Sequence, residues 1–317
     1  MTDLTDTAAA AAAEERYAIK ASYTTDPEPV RRVHRPHRRE FYRQFVKTRT
    51  PAIITGLMDD WPAMSKWTPE YVLDALGRST MPVNAQDPND ILLLGRIGQF
   101  VELSPGETLQ RINSSSDGRV YYLRAYPFYQ ADQLWDDVKI PDVCPNWIDL
   151  RNSPFQASRK AISRTLEETL FVGGVGVTTP FHSDGVMTGA FLCQIYGRKH
   201  CVLISADQSK RMYHRPFRYT FGMSKVDFRR PELDKHPLYR DVRARECDLE
   251  PGEILYIPDS CWHGVISKEV SISHSVQILN RANLLRFLRG MAERPFASAY
   301  YKSKGGIRQV TGAVTWE

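Results

Sequence analysis

The sequence is short of several things, and each shortage closes off a class of protein. Its five cysteines in 317 residues (Cys144, Cys193, Cys201, Cys247 and Cys261) are odd in number, scattered and never spaced C-x-x-C. That argues against a disulfide framework and against a thiolate zinc site. No run approaches the ~20 consecutive apolar residues of a membrane helix, so no span is expected. The chain opens on Met1-Thr2-Asp3-Leu4, acidic rather than basic, and its alanine run 8–13 is short and followed by Glu14-Glu15-Arg16. It does not read as a secretory signal, and a cytoplasmic protein is expected. No internal repeat is visible. Charge of one sign is also scarce, with a formal net charge of only +5. The one basic concentration is Arg31, Arg32, Arg35, Arg38, Arg39, Arg43, Lys47 and Arg49. A solvated helix face is its simpler reading, and an acidic partner or nucleic acid the alternative.

What is present is an ordinary globular composition with enough apolar residues for a full-sized core. The first 25 residues are Ala- and Thr-rich without apolar periodicity and read as a frayed tail. Residues 40–46 look helical, and 51–55 form a short strand ending at Gly56. Thr68 is placed to cap a helix with Pro69 at its first position. Further strands are expected at 81–85, 90–94 and 120–123. From Thr169 the texture changes to short β runs punctuated by Gly and Pro, at 170–172, 191–195, 201–204, 253–257, 264–266 and 271–279. Regularly spaced strands of this kind predict a mainly β jelly roll or sandwich. A polar, Arg-rich excursion over 207–246 interrupts the series. Residues 283–291 carry Leu284, Leu285, Phe287, Leu288 and Met291 at helical spacing, an amphipathic helix whose apolar face packs on the sheet or makes a homodimer contact. The main domain is expected over 26–280, with a helical extension over 281–317.

The most informative stretch is Thr179-Pro180-Phe181-His182-Ser183-Asp184, with Gly197-Arg198-Lys199 and Trp262-His263-Gly264 behind it. Two residues apart in an extended strand, His182 and Asp184 point to the same face. A second histidine from a distant strand, His263, completes two imidazoles and one carboxylate on one side of a metal, the pattern of non-haem Fe(II) oxygenases. Lys199 stands between Gly197 and the apolar run 201–204, an odd place for a lysine unless its ammonium has a partner. His200 alternates away from Lys199 and faces the other side of the sheet. His274 shares its face with Ile272 and Val276, which reads as core. Ser273 and Ser275 then face inward, where Ser275 is placed to touch a cosubstrate or a bound water.

These motifs, together with Cys193-Gln194-Ile195-Tyr196, Glu250-Pro251-Gly252-Glu253, Trp61-Pro62 and Lys66-Trp67-Thr68, resemble those of the cupin-like JmjC hydroxylases, the relatives of factor inhibiting HIF. The likeness runs in order from about residue 41 to 279. It implies a double-stranded β-helix with N-terminal α/β elements and a C-terminal helix. It also implies an Fe(II)- and 2-oxoglutarate-dependent dioxygenase that consumes O2. Carried over residue by residue, His182, Asp184 and His263 would hold the iron. Lys199 would pair with the distal carboxylate of 2-oxoglutarate, and Thr179 and Tyr122 would give hydroxyls to that same carboxylate. The implied substrate is an amino-acid side chain of a peptide or protein; hydroxylation of a tRNA base, N-methyl demethylation and a non-catalytic metal-binding cupin are the alternatives.

Two departures from the family pattern stand out. Residues 185–190 are about two longer than in close relatives, and Ala190 stands where an asparagine would align. Arg124, two residues after Tyr122, occupies a position where a neutral polar residue is expected; pointing inward, it could hold an acidic substrate group, and pointing outward, it is a solvated arginine.

Overall fold

The computed structural model describes residues 15, 17, 19–90, 100–114, 116–146, 158–214 and 222–303. Its strands, numbered in chain order, form two sheets. The smaller has the order β1 (Glu28–Pro29), β12 (Ala244–Leu249), β10 (Lys199–Ile204), β14 (Trp262–Ser267), β8 (Thr178–Ser183) and β11 (Gly222–Met223). The larger runs β2 (Arg31–His34), β3 (Ala52–Thr55), β13 (Ile254–Ile257), β9 (Gly189–Tyr196), β15 (Ser271–Ile278), β7 (Thr169–Gly173), β6 (Val120–Pro127), β4 (Met81–Gln86) and β5 (Phe100–Leu103). From β7 to β10 and again from β12 to β15 the chain alternates between the sheets, which makes the expected double-stranded β-helix.

The strands of this barrel are apolar on both sides, because both faces of each sheet are covered. Ala190 and Leu192 of β9 and Cys201 and Leu203 of β10 pack between the sheets with Leu255 and Ile257. Phe191, Cys193 and Ile195 face the other way, into a large core with Phe41, Trp61, Trp67 and Phe128. Val202, Ile204 and Trp262 turn outward from the smaller sheet to meet Ile19, Tyr23, Val226 and Phe228. Trp262 is therefore core rather than pocket wall, and its indole N–H donates to Ser209 Oγ at 2.9 Å. All five cysteines are free and buried.

Where β9 crosses to β10, Gly197 has φ 64°, and a Cβ there would lie 2.0 Å from the Val270 carbonyl oxygen. Only glycine fits that corner, and it sets the phase in which β10 begins with Lys199 facing inward.

The helices are short until the end: α1 (Arg38–Phe41, continued by a π-turn over Tyr42–Val46), α2 (Ala63–Lys66), α3 (Pro69–Ala75), α4 (Pro105–Asn113), α5 (Arg159–Thr165) and α6 (Leu284–Ser303). Thr68 caps α3 as expected, accepting from the Tyr71 N–H, with Pro69 at the first position. Several details differ from the sequence reading. The chain is packed well before residue 25, since Ile19 and Tyr23 are buried. The polar excursion does not end outside the sheet: its last residues enter β12, missed because Arg245, Glu246 and Asp248 break the apolar run, in which Cys247 and Leu249 face between the sheets and Ala244 faces outward. The strand expected at 90–94 lies, beyond Asp90, outside the described residues. Helix α6 packs on the turn Gly185–Met187, and it leaves Leu285, Leu288 and Met291 exposed, so of the two expected uses of its apolar face these three do not serve packing on the sheet.

One polar cluster ties the early chain to the barrel. His200 faces away from the interior, as expected, with Nδ1 2.7 Å from Asp248 and Nε2 2.9 Å from Glu246. Glu246 in turn accepts from the Tyr23 N–H at 2.9 Å and from the Thr24 hydroxyl. Burial opposes a charge on His200, but hydrogen bonds from its two N–H groups to the carboxylates outweigh that and lift its pKa to about 9. The folded value lies above the ordinary 6.5. This stabilisation is therefore fully present below pH 6.5 and lost as pH rises through 9, and it is on the order of 3 kcal/mol. We expect the melting temperature of the wild type to fall more steeply between pH 7 and 10 than that of His200→Gln. Parallel curves for the two proteins would exclude a charged His200.

Candidate metal centre and cosubstrate pocket

Strands β8 and β14 are antiparallel neighbours in a register that puts His182 directly opposite His263. The two rings lie 4.0 Å apart, centroid to centroid. Asp184 follows the last residue of β8 with an extended backbone (φ −57°, ψ 151°), so it returns to the face of His182 two residues on. Its Oδ1 is 3.8 Å from Nε2 of both histidines, and the three donor atoms lie within 4.8 Å of one another.

The other ring nitrogens fix the tautomers. His182 Nδ1 is 3.0 Å from the Pro180 carbonyl oxygen, and His263 Nδ1 is 3.2 Å from that of Cys261. A carbonyl can only accept, so each Nδ1 carries the proton and each Nε2 keeps its lone pair for the centre of the site. Burial, with His263 and Arg124 adding to it, holds His182 well below 6.5 and therefore neutral. Burial pushes the carboxyl of Asp184 up, with His263 and Arg124 opposing. Two neutral imidazoles and one carboxylate converging from one side could hold a transition metal with positions left open.

At the other end of the same cavity, Lys199 is 2% exposed. Its Nζ sits 5.7 Å from the centre of the Phe171 ring. Among the described residues it makes no hydrogen bond and no ion pair, and burial depresses its pKa to about 8. A buried ammonium costs several kcal/mol unless an anion accompanies it, and here the protein supplies none. Burial raises the pKa of the Tyr122 hydroxyl to about 12, with Thr179 beside it opposing the shift. Tyr122, Thr179, Lys199 and Ser275 line one small cavity of about 170 Å3 with His182, Asp184 and His263. All seven residues singled out in the sequence thus meet in one place. The residues fit a metal at one end and an anionic cosubstrate at the other.

The remaining expectations divide. Ser273 faces inward but gives its hydroxyl to Gln194 Oε1 at 2.7 Å and does not line the cavity. His274 is core as read, packed between Trp61 and Phe128. It has a partner the sequence hid: Nε2 lies 3.4 Å from Glu168, which Arg159 also holds at 2.7 Å. Arg124 points inward and lines the cavity. In the segment 185–190 a 3-10 turn over Gly185–Met187 sits beside the carboxylate, and Ala190 offers only a methyl to the cavity wall. Among the lining residues that the sequence reading missed are Glu167, Gln277 and Arg294. Gln277 was legible, since it continues the alternation of Ser273 and Ser275. Arg294 was not, because nothing local in α6 says which turn of the helix meets the pocket.

A model of the cupin-like domain matches residues 38–279, which is most of the chain. The chain belongs to the cupin-like JmjC family. It is 26% identical to lysine-specific demethylase 8 of Xenopus tropicalis over 248 residues, 77% of this chain and 51% of that protein. It is 30% identical to lysine-specific demethylase JMJ30 of Arabidopsis thaliana over 246 residues, 76% and 53% of the two chains. It is also 27% identical to tRNA wybutosine-synthesizing protein 5 of Gallus gallus, over 75% of this chain and 73% of that one. The chain spans about half the length of the demethylases it matches. The cofactors of the family are Fe(II), 2-oxoglutarate and O2, and the triad and the unpaired Lys199 suit them. No helix among the described residues is long and apolar enough to cross a membrane.

Proposed function

We propose that this protein is an Fe(II)- and 2-oxoglutarate-dependent dioxygenase that hydroxylates an amino-acid side chain in a peptide or protein. The observation that carries the reading is the pairing, in one cavity, of a three-donor metal site with a buried lysine that has no anion of its own. When bound, iron supplies the oxidation in which 2-oxoglutarate, O2 and R–H become succinate, CO2 and R–OH. The chain's own residues do the rest. His182, Asp184 and His263 occupy one side of the metal and leave the other for reactants. Lys199, Tyr122 and Thr179 bind the distal carboxylate and so orient the cosubstrate. The apolar walls Leu192, Ile257 and Val265 keep water from the reacting atoms. Demethylation of an N-methyl group is the same hydroxylation on a different carbon, so substrate alone separates the two activities.

The test is the anaerobic visible spectrum with Fe(II), with and without 2-oxoglutarate. A weak charge-transfer band should appear only with both present and vanish in Asp184→Ala. In Lys199→Ala the metal should still bind while 2-oxoglutarate affinity drops by roughly a hundredfold, the scale of a lost charge-assisted contact in a dry site. Unchanged 2-oxoglutarate affinity in that variant would remove Lys199 from the cosubstrate site. Failure of the wild type to bind either component would favour the non-catalytic cupin.

A second substrate reading rests on the similarity to the wybutosine-synthesizing protein and on the exposed Arg31, Arg39, Arg43, Lys47 and Arg49. Phosphate contacts need such a cluster. Arg32, Arg35 and Arg38 are committed to Glu253, Asp59 and Asp142, which thins it. A tRNA substrate predicts binding that weakens steeply with salt, read by fluorescence anisotropy; no binding at low salt excludes it.

Helix α6 is the surface we assign to a second copy of the chain, since Leu285 and Phe296 on it are 79% and 69% exposed. A dimeric mass in sedimentation, lost in Leu285→Glu, is the expected result, and a monomer at micromolar concentration would overturn it.

A further inference from the structure

The cavity has a second half, beyond the triad from Lys199, whose electrostatics the cofactors leave unbalanced. Its charged residues are Arg124, Glu167 and Arg294. Glu167 and Arg294 face each other's charge and offset one another. Arg124 has no such counterpart. Among the described residues it makes no hydrogen bond and no ion pair. The carboxylate whose charge reaches it belongs to Asp184, which the metal would claim.

Alternation along β6 puts Arg124 on the same side as Tyr122, and the backbone just beyond it is irregular. In β6, Tyr122 faces the cavity, while Leu123 and Tyr126 lie in the outer core. Strict alternation would put Tyr126 on the side of Tyr122. The β6–β7 pairing slips between Leu123 and Tyr126, and Ala125 takes φ 52°. This bulge adds Ala125 to Arg124 on the cavity side and then returns Tyr126 to the core. Holding a non-glycine residue at positive φ costs on the order of 1 kcal/mol. Here it coincides with the one inward arginine of the strand.

Iron, the 2-oxoglutarate dianion, Asp184 and Lys199 sum to zero charge. With Glu167 and Arg294 offsetting one another, Arg124 leaves a single positive charge over the space where the substrate enters. The geometry points to Arg124 as a specificity-determining residue that pairs with a carboxylate on the substrate, so that the side chain presented to the metal is acidic, aspartyl or glutamyl. This deepens the oxygenase reading and rests on it. Arg124 shares the cavity wall with His182, Asp184 and His263, so its partner is a group carried on the same side chain that meets the metal, which favours a peptide carboxylate over a backbone phosphate.

The test uses the full chain loaded with Zn(II), which is inert to O2, and ligand-observed NMR with acetyl-Gly-Asp-Gly-amide and acetyl-Gly-Glu-Gly-amide against their Asn and Gln counterparts. An acidic peptide should bind roughly tenfold more tightly than its amide, the scale of one charged hydrogen bond. Arg124→Gln should abolish that preference while 2-oxoglutarate affinity stays within about twofold. Equal affinity for acid and amide, including no detectable binding of either, overturns the proposal. So does a preference that survives in Arg124→Gln, or a tenfold loss of 2-oxoglutarate affinity there, which would place Arg124 in the cosubstrate site. Arg124-dependent binding of a short RNA with none of the peptides would overturn it in favour of phosphate. The peptide comparison is run with and without 2-oxoglutarate. A wild type that takes no 2-oxoglutarate therefore strikes the oxygenase reading, while the acid-over-amide preference is still read independently.

Discussion

The site depends on the register between β8 and β14. Side chains alternate with period two, so a slip of one residue would send His182 and His263 to opposite faces, one toward the cavity and the other into the outer core around Phe181 and Phe228. Both strands are buried on both sides, which makes such a slip expensive in either direction. Gly264 illustrates the tightness: a Cβ there would lie 2.7 Å from the Phe228 ring. The histidines are therefore opposed as a consequence of packing, and the metal site inherits its geometry from the outer core.

The same alternation puts three formally charged side chains, Lys199, Asp184 and Arg124, into a cavity whose apolar wall is made by Leu192, Ile257, Val265 and Phe171. Burial disfavours the charge on each, pushing the lysine and arginine down and the carboxyl up. The protein does not pair them with one another; Lys199 and Asp184 stand at opposite functional ends. A fold that keeps uncompensated charges in a dry interior gives up stability, and the compensation must come from what binds. His200 shows the opposite solution: it is equally buried, but Glu246 and Asp248 accept its hydrogen bonds and hold it charged. The contrast between the two neighbours on β10 separates a structural charge from one waiting for a ligand.

Much of this was legible from order and spacing. The His-x-Asp pair, the distant histidine and a lysine beginning an apolar run are local patterns, and period-two alternation was enough to assign His200 and Ser275 to opposite sides. What stayed hidden depends on long-range pairing. Glu168 follows Glu167 in sequence, yet one is held by His274 and Arg159 in the core while the other reaches the cavity mouth. No local rule distinguishes them, because Glu167 takes φ 45° and breaks the alternation. β12 was concealed by charged residues that turn out to be partners of His200 and Lys268, and the bulge at Ala125 by a sequence with no glycine to mark it.

The two halves of the cavity are built differently, and this bears on how such a fold changes substrate. The half proposed for the cosubstrate rests on regular strands: Lys199 of β10 and Tyr122 of β6 are paired on both sides, and Thr179 of β8 is paired with Val265 of β14. The other half rests on irregular backbone. It is a bulge at Arg124 and Ala125, a left-handed residue at Glu167, a 3-10 turn over Gly185–Met187, and one turn of α6 carrying Arg294. A change in a bulge or turn re-aims one or two side chains without moving the ladder that holds the ligands, whereas a change of register would move them all. On the proposed reading, the reaction is tied to the regular part of the barrel and the choice of substrate to its interruptions. In this chain the interruptions bring in Ala125, Glu167 and Arg294, whereas Arg124 keeps the alternation of β6 and Ala190 lies within β9.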